Sequence, residues 1–478
     1  MLFNSWQFLV FFPTVVFVYF LLPHRVRWAW LLGTSCVFYM AFVPAYILIL
    51  LFTITVDYIA GLLIESAQGT HRKWYLGMSI VANMGVLLLF KYFDFFIGNF
   101  DRLFHFLGLP VTMPLLHILL PLGLSFHTFQ ALSYTIEVYY GRQKAERHPG
   151  IYALYVMFFP QLVAGPIERP QNVLHQYHEK QYFKTEDAMA GFRLMLWGFF
   201  KKVVVADRLG LYVDPVFTNY HDYNGLNLVL AAIFFVFQIY CDFSGYSDIA
   251  IGAARVLGIR LMINFDRPLW SRNVTEFWRR WHISLSTWLR DYIFSPLTIK
   301  WREAGIYAVL AALMVTFVAS GLWHGAGWNF VILGILYGLV LCYEAATKKQ
   351  RKKWSKSVPP LLYASASVLL TFACVTLIQV FFRSPNATEA FRYIGNMTNA
   401  SRSYRWLVGL GPRAFGIYSW AVVLVALTTM VVVEARTHPL LEEFRQSYWG
   451  NVAFCGAVLF AVLAFGIFDQ TSFIYFQF

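Results

Sequence analysis

The sequence predicts an all-α, polytopic membrane protein with about eleven to thirteen transmembrane or re-entrant helices. Three observations predict it. Of 478 residues, 59% are hydrophobic and only 13% charged, whereas a soluble domain gives about a quarter of its residues to Asp, Glu, Lys and Arg. The apolar residues fall in runs that can cross a hydrocarbon core about 30 Å thick, which takes roughly 20 residues of helix. The formal charge of +13 sits in short clusters between those runs: His24–Arg27, His71–Lys73, Arg142–Arg147, Lys201–Lys202, Lys348–Lys356 and Arg402–Arg405. Such clusters orient spans and touch anionic lipid. No continuous basic face or nucleic-acid motif accompanies them, so a nucleic-acid partner is not expected.

Candidate spans lie near 6–22, 28–43, 45–65, 75–98, 115–140, 151–166, 190–206, 226–260, 305–322, 326–346, 360–382, 415–435 and 450–468. The run 226–260 is long enough to be two segments. Met1–Leu22 has no basic region before its apolar run and no small-residue cleavage site after it, so it is expected to be a retained first span. His24, Arg25 and Arg27 follow that span, and His71–Lys73 comes two spans later. The positive-inside rule puts both loops in the cytoplasm and Met1 outside. Five cysteines without a CxxC pairing read as small buried hydrophobes. With no linker, repeat or low-complexity tract, the simplest partition is a single membrane domain over 1–478, its motifs in a core at about 85–345 and further spans and a tail over 346–478. The stretch 264–304 is too polar to span lipid and too aromatic for a solvated loop. It reads as an amphipathic or re-entrant segment at the cytoplasmic boundary.

Ionisable groups inside a membrane bundle are functional candidates by default. The stretch 277–291 lacks Gly and Pro and reads as one helix, on which Trp278, His282, Ser286 and Leu289 share a face. An imidazole set against indole and hydroxyl stays neutral, as a base requires, although spacing alone also fits a structural histidine. Ser320–Asn329 joins two apolar runs. Its glycines 321, 325 and 327 allow close approach, and His324 sits at the tip between Trp323 and Trp328. Base and structural roles both remain open there, and no HxxxH or Cys/His cluster suggests a metal. Asp242 and Asp248 interrupt an apolar tract. Six apart, they lie about 600° round a helix, not on one face; Gly245 between them suggests a kink, and the arginines of 267–290 are the expected partners. Lys91, His127 and Gly165–Arg169 sit at further span ends or breaks, and several breaks together imply a polar interior cavity. No GxSxG, Walker A, HExxH or GxGxxG in strand–helix context is present, so the histidines are the strong catalytic candidates.

Arg280-Trp-His-Ile-Ser-Leu-Ser286 and Gly321-Leu-Trp-His-Gly325 together resemble the signature of the membrane-bound O-acyltransferase (MBOAT) superfamily. The resemblance is to its bacterial AlgI/PatA-like polysaccharide O-acetyltransferase group and, more distantly, to DltB. It extends, in order, to Phe90-Lys-Tyr-Phe93, Leu120-Pro-Leu-Gly-Leu-Ser-Phe126, Ala164-Gly-Pro-Ile167, Asp242–Asp248 and Asn264-Phe265, covering most of the chain to about Gly338. The resemblance implies a helical bundle around a central funnel that joins a cytoplasmic donor to an outward-facing acceptor. By position in the motifs it makes His324 the catalytic residue and His282 the second histidine commonly required. Trp278, Trp281, Ser286, Trp323, Asn329 and Asp242 are then expected to line the funnel or position substrate. It implies acetyl-CoA as the acyl-donor substrate and no bound cofactor or metal. The acceptor is an extracytoplasmic polysaccharide such as alginate or peptidoglycan, reached through a separate SGNH-type partner at the bacterial inner membrane. Phe473-Ile-Tyr-Phe-Gln-Phe478 resembles the FIYF-type tail of the same group, which makes Tyr475 an acyl-carrier candidate; an aromatic anchor at the membrane interface is the plainer alternative. A transporter or flippase with a polar cavity is the competing class, though no inverted repeat supports it. If both histidines act together, their rings converge to within roughly 15 Å.

Overall fold

The computed structural model describes residues 1–478 apart from 110, 117, 119, 224, 399–414, 438, 443–446, 469–472 and 475–478. Every regular element among the described residues is a helix. Eight helices there are long and apolar enough to cross a membrane: Pro44–Ser66, Thr70–Phe106, Gly225–Val256, Ile306–His324, Trp328–Ala346, Pro360–Arg383, Ile417–Arg436 and Tyr448–Phe465. The chain is an all-α multi-pass membrane protein.

The remaining apolar runs form shorter or broken helices, for local reasons. Trp6–Leu21 is apolar but has only 16 residues. Among its described residues the run at 115–140 is helical over Leu124–Tyr139. The run at 151–166 splits into Pro149–Met157 and Phe159–Leu162, because Pro160 lacks the N–H that a continuous helix needs and belongs in a first turn. The stretch 226–260, by contrast, is not two segments, and Gly245 does not break it: Gly225–Val256 is one helix. Gly245 serves a close approach instead. A Cβ there would lie 2.7 Å from the Gly198 carbonyl oxygen, so only glycine lets the two backbones meet.

Contacts within the chain cluster into two units: Met1–Phe192 with Ile249–Met262, and Arg193–Asp248 with Ile263–Phe478. In the first, the buried Asp57 carboxylate accepts from Ser79 at 2.6 Å and from the Asn83 amide at 2.9 and 2.8 Å, so its polar oxygens are matched by donors. Lys91 lies on a π-helical turn, Leu88–Tyr92, and donates to Ser125 at 3.4 Å. His127 is buried on Leu124–Tyr139. Glu168 accepts from the Met262 backbone and the Asn172 amide.

The second unit carries the two signature motifs. Helices Ile306–His324 and Trp328–Ala346 form a tight antiparallel pair. A Cβ on Gly321 would stand 2.2 Å from the Phe330 carbonyl oxygen, and one on Gly334 2.3 Å from that of Phe317. The crossing is therefore backbone against backbone. The 264–304 stretch runs as Val274–Arg280, then Ile283–Leu289, which continues through the π turn Arg290–Phe294 into Ser295–Lys300. A seven-residue π-helix, Phe200–Ala206, faces Gly225–Val256 and carries Lys201 and Lys202.

Candidate active site

The helix read over 277–291 is broken at Trp281 and His282. Trp281 is extended (φ −101°, ψ 128°), and His282 is left-handed (φ 44°, ψ 55°), a conformation uncommon for any residue but glycine. Its cause lies outside the stretch. The backbone at 264–266 pairs with the break, Ile283 N–H donating to the Asn264 carbonyl and Asp266 N–H to that of Arg280, each at 2.9 Å. The Asn264 side-chain oxygen accepts from the Ser284 N–H at 3.2 Å and from its hydroxyl at 2.9 Å. These bonds replace the helical ones the break forfeits. Asn264, His282 and Ser284 are all fully buried.

The same contacts fix the chemistry of His282. Two groups that donate here point at the Asn264 atom, so that atom is the amide oxygen. His282 Nδ1, 3.2 Å from it, must then carry the proton and leave the lone pair on Nε2. The break also corrects the expected shared face. Ser286 does not join His282; its hydroxyl donates to the Trp281 carbonyl at 3.1 Å and caps the broken turn. The hydroxyl beside the imidazole is that of Ser284, 3.4 Å from Nδ1.

His324 is the last residue of Ile306–His324 and is buried. Its Nδ1 lies 2.7 Å from the Ser320 carbonyl oxygen one turn back. A carbonyl only accepts, so Nδ1 is protonated and Nε2 holds the lone pair. The Trp323 indole touches both imidazoles, with ring centroids 5.1 Å from His324 and 5.8 Å from His282. The two histidines thus flank one ring, inside the separation that joint roles require.

The other candidates divide. Trp278 is buried against Phe317 at 5.2 Å and Tyr337 at 5.0 Å, and its indole N–H has no partner among the described residues. Trp281 stacks on Phe277 and meets Phe265 and Tyr240 edge-on or tilted, which makes it part of the packing under the break. Asn329 donates its amide to the Phe381 and Ser384 carbonyls at 3.2 and 3.0 Å. It thereby satisfies the end of Pro360–Arg383, whose Phe382 ring packs on His324 at 5.7 Å.

Asp242 and Asp248 do not pair with the arginines of 267–290. Lys202 reaches Asp242 at 2.6 Å and Asp207 at 2.8 Å, and Lys201 reaches Asp248 at 2.6 Å. These lysines read as an orienting cluster between spans, but both are buried, at 3% and 1% exposure. The two consecutive lysines of this π-helix reach the same neighbouring helix at carboxylates six residues apart. Arg267 instead pairs with Asp266 beside it. Tyr475 lies outside the described residues; Phe473 and Ile474 before it are described and sit at the Lys202–Asp242 pair. Among the described residues no group of three or more His, Cys, Asp or Glu is placed to hold a metal ion.

The residues that sequence reasoning missed as parts of the site are Asn264, Ser284, Lys202 and Asp207. Asn264 opens a matched motif and the Lys201–Lys202 doublet stands out in an apolar run, but neither signal names a partner.

The chain is similar to known proteins. The family described as MBOAT, membrane-bound O-acyltransferase, matches residues 147–382. A peptidoglycan O-acetyltransferase of Helicobacter pylori is 33% identical over 433 residues, covering 83% of this chain and 80% of the relative. A Pseudomonas syringae pv. tomato protein named "Probable alginate O-acetylase AlgI" is 36% identical over 401 residues, covering 83% of this chain and 75% of the relative. A teichoic acid D-alanyltransferase of Streptococcus thermophilus is 30% identical over 284 residues, covering 55% of this chain and 68% of the relative. These likenesses decide between transporter and enzyme on the enzyme side, and the chain belongs to the membrane-bound O-acyltransferase family.

Proposed function

We infer that this acyltransferase takes an acetyl group from acetyl-CoA at the cytoplasmic face of a bacterial inner membrane. It passes the group outward for O-acetylation of a polysaccharide, through a separate SGNH-type extracytoplasmic partner. The names of the relatives, a peptidoglycan O-acetyltransferase and alginate O-acetylases, support an acetyl donor and a glycan acceptor. The observation that carries the reading is the bond between His324 Nδ1 and the Ser320 carbonyl, which leaves Nε2 as a base in a buried site.

A thioester is a good acyl donor and needs only a deprotonated hydroxyl and a stabilised oxyanion. His324 Nε2 takes the acceptor's hydroxyl proton as the oxygen attacks the thioester carbonyl carbon. The tetrahedral oxyanion collapses, the carbon–sulfur bond breaks, and the departing thiolate takes the proton back from the imidazolium. An O-acetyl ester and free CoA result. His282, with its own Nε2 basic and Trp323 shared with His324, orients the acyl group together with Trp278. Tyr475 is the first acceptor in this reading: its phenol becomes an aryl ester, reactive enough to pass the acetyl group to a second hydroxyl.

Purified protein given labelled acetyl-CoA tests the reading. CoA release should fall by about 10²–10⁴-fold in His324→Ala, the usual contribution of a general base, and release at the wild-type rate rejects His324 as that base. Tyr475→Phe keeps the ring and deletes the nucleophilic oxygen. Polymer acetylation should then fall as far as in His324→Ala with membrane insertion intact; near-normal acetylation would leave the tail as an anchor.

A further inference from the structure

The buried Lys202 ammonium has three N–H donors, and the structure accounts for each. One goes to Asp242 at 2.6 Å and one to Asp207 at 2.8 Å, and the Phe473 ring centroid lies 4.5 Å from Nζ, within cation–π range. Two carboxylates on one ammonium leave acceptor capacity over. Asp242 uses it: while one of its oxygens takes Lys202, the other accepts the backbone N–H of Ile474 at 2.8 Å. Phe473 is 1% exposed and meets Tyr246 edge-on at 4.6 Å. The described residues beyond Tyr448–Phe465 therefore pack back against this unit. Ile467 donates to the Val203 carbonyl in the π-helix at 3.0 Å, and residues 473 and 474 are held inside the unit by a backbone bond and a ring.

The geometry points to a new role for this ionic cluster: Asp242 and Lys202 are positioning residues that clamp the chain's own tail at Phe473–Ile474. The clamp reads a main-chain N–H and an aromatic face, so it fixes the segment's depth and register. Tyr475 is the next residue along the chain. Given the reading of Tyr475 as acyl carrier, the clamp sets where the phenol is delivered, and its own existence does not depend on that reading.

The test uses the full-length protein with Ile474→Cys, which keeps both the backbone N–H and Phe473. Maleimide labelling of the introduced thiol is followed by mass spectrometry of the C-terminal peptide, so the native cysteines need not be removed. Adding Asp242→Ala should speed labelling roughly tenfold or more, the factor expected for losing a hydrogen bond to a charged group. Adding Phe473→Leu, which removes the ring over Lys202 but keeps its ion pairs with Asp242 and Asp207, should speed it severalfold. In parallel, Ile474→Pro deletes the N–H donor and fixes the backbone at that residue, whereas Ile474→Val keeps the donor. Polymer acetylation should fall in the first and hold in the second. Unchanged labelling in both clamp variants overturns the clamp, whatever acetylation does. Faster labelling with normal acetylation in Ile474→Pro upholds the clamp and removes the carrier role of Tyr475.

Discussion

An imidazole has two nitrogens, and the one that acts as a base needs the proton on the other. At His324 a main-chain carbonyl makes the choice, and at His282 the Asn264 amide oxygen makes it. Asn264 can be tested by mutation, since its side-chain oxygen also satisfies the buried Ser284 donors. Asn264→Ala should cost about 1–3 kcal/mol of stability for each donor left unsatisfied, read by thermal unfolding in detergent. It should also lower kcat more than it raises KM, because it frees His282 from its tautomer; a change in KM alone would make Asn264 a packing residue. Lys202→Met leaves Asp207 and Asp242 buried without their cation and should destabilise by about 3–5 kcal/mol. A variant as stable as wild type would show that the cluster is dispensable to the fold. The histidines and tryptophans were legible because costly groups in apolar surroundings stand out. Their orienting partners were not: Asn264 acts from 18 residues away, and a carbonyl oxygen leaves no trace in a sequence.

The break at Trp281–His282 explains why element boundaries here resist sequence reading. A stretch without Gly or Pro has every local reason to be one helix, and only the pairing with 264–266 overrides it. The π-helix Phe200–Ala206 works the same way. A π turn is invisible in composition, and on this one Lys201 and Lys202 take Asp248 and Asp242, leaving the expected arginine partners elsewhere. The glycine motif was more readable, since Gly321 was expected to allow close approach; Gly334, the other glycine at the crossing, was not singled out. Gly321→Ala should force the Ile306–His324 and Trp328–Ala346 pair apart and cost about 1–3 kcal/mol, as overpacking does. Unaltered unfolding in that variant would mean that the pair has slack the 2.2 Å approach to the Phe330 carbonyl denies.

Across the whole chain, composition was enough for an all-α multi-pass protein, because 13% charged residues cannot cover a soluble surface. Among the described residues eight of the expected runs are long apolar helices, and others are shorter or interrupted, by proline at Pro160 for one. Charge predicts the orientation: Lys348–Ser357 is a basic helix between two candidate spans, and the positive-inside rule would put such a helix in the cytoplasm. A cysteine introduced at Lys353 should be labelled by an impermeant reagent only from the cytoplasmic side, and labelling from outside would invert the proposed direction of transfer. That direction, from a cytoplasmic thioester through His324 to an outward acceptor, is the central claim. Inverted and right-side-out vesicles given labelled acetyl-CoA test it most directly. Label should enter the extracytoplasmic acceptor only when the donor meets the cytoplasmic face, and His324→Ala should abolish it. Equal incorporation from either face, or incorporation that survives His324→Ala, would contradict the account.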